Sequence, residues 1–143
     1  MTTTAAPPIS HHTRAADGPL VLPFEAVGID AIPQVGGKNA SLGEMIRELA
    51  GQGVRVPGGF ATTADAYRHF IASGGLADRL HAILDGLDGN DIAALQAAGA
   101  AARSLLLSTH LPADLEQAIL SAYRQLGSPS VAVRSSATAE DLP

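Results

Sequence analysis

The run Val35-Gly36-Gly37-Lys38-Asn39-Ala40-Ser41-Leu42-Gly43-Glu44-Met45 decides how this chain is read. A short apolar stretch precedes it, two glycines remove Cβ atoms, and a lysine arrives where helical periodicity begins. Glycines let the backbone approach a ligand and turn N–H groups inward. A helix starting there adds the unbonded donors of its first turn and the positive end of its dipole. With the charge of Lys38, these are the parts of a phosphate-binding corner. It is not a Walker A loop. That pattern needs a glycine five residues before the glycine of Gly-Lys, where Ile32 stands, and Ser or Thr after the lysine, where Asn39 stands. A tight turn before a surface helix with a solvated lysine fits the same letters, so the local string leaves both readings open.

Working outward, Leu20-Val21-Leu22-Pro23-Phe24 reads as an edge strand, because Pro23 cannot donate to a ladder. Ile29 to Pro33 reads as a turn into the glycine pair. The first helix is expected from about Asn39–Ser41 to Ala50, with Leu42, Met45, Ile46 and Leu49 as its apolar stripe and Glu44, Arg47 and Glu48 solvated. Val54 and Val56 suggest a strand, Pro57-Gly58-Gly59 a turn, and Phe60 to Thr62 a second extended piece. Backbone N–H groups at Gly58 and Gly59 could meet an anion, although a plain turn accounts for them. Thr62 or Thr63 can cap the next helix, with Ala66 and Phe70, and Tyr67 and Ile71 beside them, facing inward. Three further stripes follow: one from Leu76 to Leu87, one from Ile92 to Leu106, and one from Leu115 to Leu126 behind Pro112 at a helix start. These read as core. Ser130-Val131-Ala132-Val133-Arg134 reads as a strand ending in an arginine, followed by the hydroxyls and carboxylates of Ser135 to Asp141. An arginine with hydroxyl donors suits a polyphosphate; an arginine paired with Glu140 or Asp141 in a surface loop fits equally well.

Composition removes several classes. A net charge of −5, with three Phe, two Tyr and no Trp, leaves neither a basic footprint nor a stacking platform for nucleic acid. Without cysteine there are no disulfides or thiolate metal sites, which suits a cytoplasmic protein. No apolar run approaches the roughly 18 residues that span a bilayer, so no membrane partner is expected. Met1 to Gly18, with His11 and His12, is expected as a disordered extension. His69, His81 and His110 lack the spacing of a metal pair. The end at Pro143, without cap or polar tail, reads as a domain incomplete at its C-terminus.

Taken together, Val35 to Met45 (VGGKNASLGEM), Val54 to Phe70 (VRVPGGFATTADAYRHF) and Val131 to Pro143 (VAVRSSATAEDLP) resemble the start of the phosphoenolpyruvate synthase (pyruvate, water dikinase) family. The resemblance runs from about Leu20 to the last residue. The wider family includes pyruvate, phosphate dikinase and rifampicin phosphotransferase, and the second and third readings left open are a fragment of the latter kind and a non-catalytic nucleotide-binding or interaction module. The resemblance implies an α+β (α/β) fold: a partial ATP-grasp domain over residues 19–143, a small sheet packed with several helices. It implies that Lys38 and Arg134 contact ATP phosphates. The reaction it implies takes ATP, pyruvate and water to AMP, phosphoenolpyruvate and phosphate, with Mg2+. By the same resemblance the magnesium ligands, the phosphohistidine domain and the pyruvate barrel lie beyond Pro143. None of the five histidines here has the phosphohistidine context. The chain is therefore expected to contribute one wall of an ATP site, with no catalytic or metal-binding residue and no turnover alone.

Overall fold

The computed structural model describes residues 18–138. The extension expected over residues 1–18 lies outside them except for Gly18, and Glu140 and Asp141 lie outside them as well.

Strand β1 (Val21–Pro23) pairs antiparallel with β2 (Phe60–Thr62), in the register Val21↔Thr62, Leu22↔Ala61 and Pro23↔Phe60. Phe24 N–H donates to Gly59 O at 2.9 Å and Thr63 N–H to Leu20 O at 3.0 Å, which prolongs the ladder at both ends. Pro23, lacking a donor, sits at the strand's last position, where its loss is tolerated. Gly59 is buried because the Phe24 ring occupies its missing side chain: a Cβ there would lie 2.5 Å from Phe24 Cε2. Packing therefore accounts for that glycine. The strand expected at Val54–Val56 does not form, and Val54 is half exposed. β2 finds its partner in β1, far away in sequence, and not in its neighbour.

From β1 the chain makes 3-10 turns at Phe24–Ala26 and Ile29–Ala31, then α1 (Ile32–Val35) and α2 (Gly37–Ala50). The expected simple turn at Ile29–Pro33 is thus partly helical, and α2 begins two residues earlier than its apolar pattern indicates. Its buried residues are the small ones, Ala40 and Gly43; Leu42, Ile46 and Leu49 are half-buried and Met45 is exposed. The cause is close approach. A Cβ at Gly43 would lie 2.8 Å from Phe24 O, so α2 presses its smallest face against the Phe24–Val27 backbone. Val27, Val35, Ala40 and Ala61 form the core at this end, with Leu22, Phe24, Ala31 and Ile32 packed around them.

Helix α3 (Ala64–Ala72) starts as its sequence directs. Thr63, nearly fully buried, accepts from Ala66 N–H at 3.1 Å through Oγ1, and the same hydroxyl donates to Pro19 O at 2.7 Å. Gly74 and Gly75, both at positive φ, turn the chain into α4 (Leu76–Leu84). α5 (Ile92–Ser108) is capped by Asp91, which accepts from Ala94 N–H at 3.0 Å, and α6 (Ala113–Gln125) begins just after Pro112. Leu76, Ala98, Leu105 and Leu115 are buried, but Ile92 is exposed and Tyr67, expected inward, is 63% exposed. α5 packs chiefly on α4, so its stripe is covered along only part of its length. Five helices of nine or more residues and one two-stranded sheet make the described chain an α+β fold. Among the described residues no single helix is long and apolar enough to cross a membrane.

His69 on α3 and Asp114 at the start of α6 meet at 2.9 Å and tie those helices together. The hydrogen bond from His69 holds the Asp114 carboxyl below its usual value, helped by the Leu115 N–H and the His69 charge. A lowered native value gives stability that is present above the ordinary carboxylate range and lost as pH falls through it. Asp114→Asn should therefore unfold more easily than the wild type at neutral pH, with the gap in urea midpoints closing below about pH 4. Thr63→Ala removes a helix cap and leaves Pro19 O without its donor. It should cost about 1–2 kcal/mol, seen as a fall of roughly 2–8 °C in melting temperature.

Candidate functional site

The corner between α1 and α2 rests on a single residue. Gly36 has φ 79° and ψ 163°, a region essentially closed to side-chain-bearing residues. Its N–H donates to Ile32 O at 2.9 Å and closes α1; its carbonyl accepts from Ala40 N–H at 3.1 Å and opens α2. The donors ahead of Ala40 lie outside α2's own ladder, at the end where the helix dipole is positive.

The face of Gly36 that lacks a Cβ is where the far end of the chain arrives. A Cβ there would lie 2.6 Å from Ala137 O and 2.9 Å from Ala137 C, and would overlap Ser136 Oγ. Ser136 Oγ donates to Val35 O at 3.0 Å, across 101 positions of sequence. Asn39 Nδ2 donates to the same oxygen at 2.8 Å from within the first turn of α2. A carbonyl has two lone pairs, and here one takes a donor from α2 and the other a donor from the C-terminal segment. That segment leaves α6 through Gly127 (φ 85°) and Ser128 (φ 55°), and Tyr123 OH donates to Pro129 O at 2.9 Å. It is thus held at Pro129 and again at Ser136.

Lys38 follows the contact residue Gly36 by two positions, and Arg134 precedes Ser136 by two. Two residues span at most about 7 Å, so the two backbone anchors fall within about 20 Å of each other. Both side chains are exposed. The structure brings the two motifs to one corner, but not in the form expected. Ser130 to Arg134 joins no sheet among the described residues, and Val133 is 92% exposed. Alternating β-branched residues record fitness for a pleated, half-buried surface, and the one sheet among the described residues is made of β1 and β2. Ser136, expected as a donor to polyphosphate, gives its proton to Val35. Asn39, which stands where a Walker A loop has a hydroxyl, holds the corner's backbone.

Other candidates lie elsewhere. His69 bonds Asp114 and not this corner. An open groove of about 510 Å³ between the sheet and α6, lined by Val21, Phe60, Ala118, Ala122 and Leu126 among others, includes neither Lys38 nor Arg134. Among the described residues no cluster of His, Asp or Glu could hold a metal ion. The pairing of Glu140 or Asp141 with Arg134 lies outside the described residues. Sequence reasoning missed one support of the corner: Glu44, expected in solvent, accepts Ile29 N–H at 2.9 Å through Oε1 while paired with Arg47. The spacing of Glu44 and Arg47 signals the ion pair, but nothing local signals Ile29.

Residues 32–143 match the family model described as pyruvate phosphate dikinase, AMP/ATP-binding domain. The chain belongs to that family. The dikinase match begins at Ile32, the first residue of α1, so it takes in both halves of the Gly36 contact. The chain is 53% identical over 127 residues to a phosphoenolpyruvate synthase of Pseudomonas aeruginosa, an alignment covering 86% of this chain and 16% of that protein. It is 50% identical over 129 residues to the phosphoenolpyruvate synthase of Escherichia coli, covering 87% and 16%. A probable phosphoenolpyruvate synthase of Staphylothermus marinus is 44% identical over 128 residues, covering 84% and 15%. The chain thus spans about one sixth of the length of these curated relatives.

Gly36→Ala tests the corner directly. The strained backbone and the overlap with Ala137 should lower stability by about 1–3 kcal/mol. Amide exchange in residues 130–138 should speed up, as that segment leaves Val35. Wild-type melting and exchange in this variant would count against the contact.

Proposed function

We propose that this chain is the ATP-binding part of a phosphoenolpyruvate synthase, with Lys38 and Arg134 holding the phosphates of the nucleotide. The observation that carries the reading is the Ser136–Val35 hydrogen bond, which seats the Arg134 segment against the corner that presents Lys38. Membership of an AMP/ATP-binding family supports the nucleotide, and the relatives' names support the synthase. Residues 19–143 would form part of an ATP-grasp domain, a reading that the α+β make-up supports.

The chemistry fits cations drawn from two distant segments. Phosphoryl transfer asks a protein mainly to position the phosphates and to balance their charge. Arg134 offers a planar fork that binds two oxygens at once, whereas Lys38 acts as a point charge. The donors at the start of α2 add a fixed dipole between them. Magnesium would accompany the nucleotide. The described residues hold no cluster of His, Asp or Glu for it, so its ligands would come from residues outside them. A histidine outside this chain would carry the phosphoryl group onward to pyruvate. The setting would be the cytoplasm, as the lack of cysteine suits.

Charge-assisted contacts contribute about 1.5–3 kcal/mol each, roughly ten- to a hundredfold in affinity. Lys38→Ala and Arg134→Ala should each weaken MgATP binding by about that factor in isothermal titration, with helical content unchanged by circular dichroism. Wild-type affinity in both variants would remove the phosphate wall. In a protein that also carries the downstream domains, AMP formation that depends on pyruvate would separate the synthase from a rifampicin-type dikinase.

A further inference from the structure

We propose that Ser136 is a positioning residue for Arg134, and that its hydroxyl is the latch that sets the guanidinium opposite Lys38. The proposal deepens the phosphate-wall reading and rests on it. The bonds that hold the segment after α6 include Tyr123 OH on Pro129 O and Ser136 Oγ on Val35 O. Arg134 is five residues from the first anchor and two from the second, so the second governs where its backbone stands. No sheet takes over that task, since residues 130–134 join none among the described residues and Val131 and Val133 are 53% and 92% exposed.

The latch is directional. Asn39 fills one lone pair of Val35 O from inside α2 and so leaves a single direction for the second donor. Gly36 keeps that direction open, because any side chain there would occupy the place of Ser136 Oγ and Ala137 O. A hydroxyl two residues after the arginine, a carbonyl one residue before a glycine, and a lysine two residues after that glycine thus place one hydrogen bond, flanked by short lengths of backbone, between cation and cation. Lys38 is fixed to this frame through α2; Arg134 is fixed to it through Ser136.

A double-mutant cycle on the whole protein tests the assignment, with MgATP affinity read by isothermal titration and folding checked by thermal melting. One neutral hydrogen bond gives the scale of the effect: Ser136→Ala should weaken MgATP about three- to tenfold. Ser136→Thr, which keeps the hydroxyl, should restore most of that loss. In the Arg134→Ala background, Ser136→Ala should make no further difference, because the group it positions is gone. Losses from Ser136→Ala and Arg134→Ala that multiply, or a Ser136→Ala variant with wild-type affinity beside a weakened Lys38→Ala, would overturn the latch and leave the phosphate wall standing. Wild-type affinity in both Lys38→Ala and Arg134→Ala would overturn the wall, and the latch with it.

Discussion

A carbonyl oxygen accepts two hydrogen bonds, and the arrangement of this molecule turns on which two reach Val35. Asn39 comes from the first turn of α2 and Ser136 from the opposite end of the described chain. Between them they fix the peptide that leads into Gly36, whose backbone can take that direction only without a side chain. The same residue closes α1, opens α2 and leaves room for Ala137. Three segments, α1, α2 and the stretch carrying Ser136 and Ala137, meet at one glycine, and none could shift without breaking a hydrogen bond or forcing an overlap.

That corner is held from behind by close backbone approach, not by large side chains. Ala40 and Gly43 let α2 lie against the Phe24–Val27 turn, and Gly59 leaves room for the Phe24 ring. Glu44 reaches back from α2 to the Ile29 N–H, so the turn that leads into α1 is bonded to the helix that follows it. Small residues of this kind cannot be exchanged for larger ones without moving backbone, whereas the half-buried Leu42 and Ile46 have a free edge. The rigidity of the corner therefore rests on residues that a hydrophobicity pattern discounts.

This explains what the letters revealed and what they hid. Signals that act within a few residues were legible: Thr63 capping α3, Gly74 and Gly75 ending it, Pro112 ahead of α6, and the strand character of Leu20–Phe24 and Phe60–Thr62. Signals that need a distant partner were not. Val54–Val56 and Ser130–Arg134 have β-forming residues, but a strand exists only where a neighbour pairs with it, and that is a tertiary fact. The apolar stripe of α2 is covered only in part, because burial there follows proximity and not side-chain size. At the site, Lys38 and Arg134 could be picked out by residue type. The seating of the arginine's segment on the lysine's corner could not, since it depends on a serine whose expected partner was a ligand and whose actual partner is a backbone oxygen.

The proposed anion site, in a chain of net charge −5, needs a physical justification, and distance along α2 supplies part of it. At physiological ionic strength exposed charges are screened over about 8 Å. Along α2, Glu44 and Glu48 stand about 9 and 15 Å from Lys38 at 1.5 Å per residue. Glu44 is moreover engaged with Arg47 and with the Ile29 N–H. What the corner offers an anion is the lysine, the positive end of the helix that begins beside it, and the arginine segment held there by the Ser136–Val35 bond. A long polyanion must track an extended surface, which a net charge of −5 disfavours, whereas a compact polyphosphate needs one positive corner.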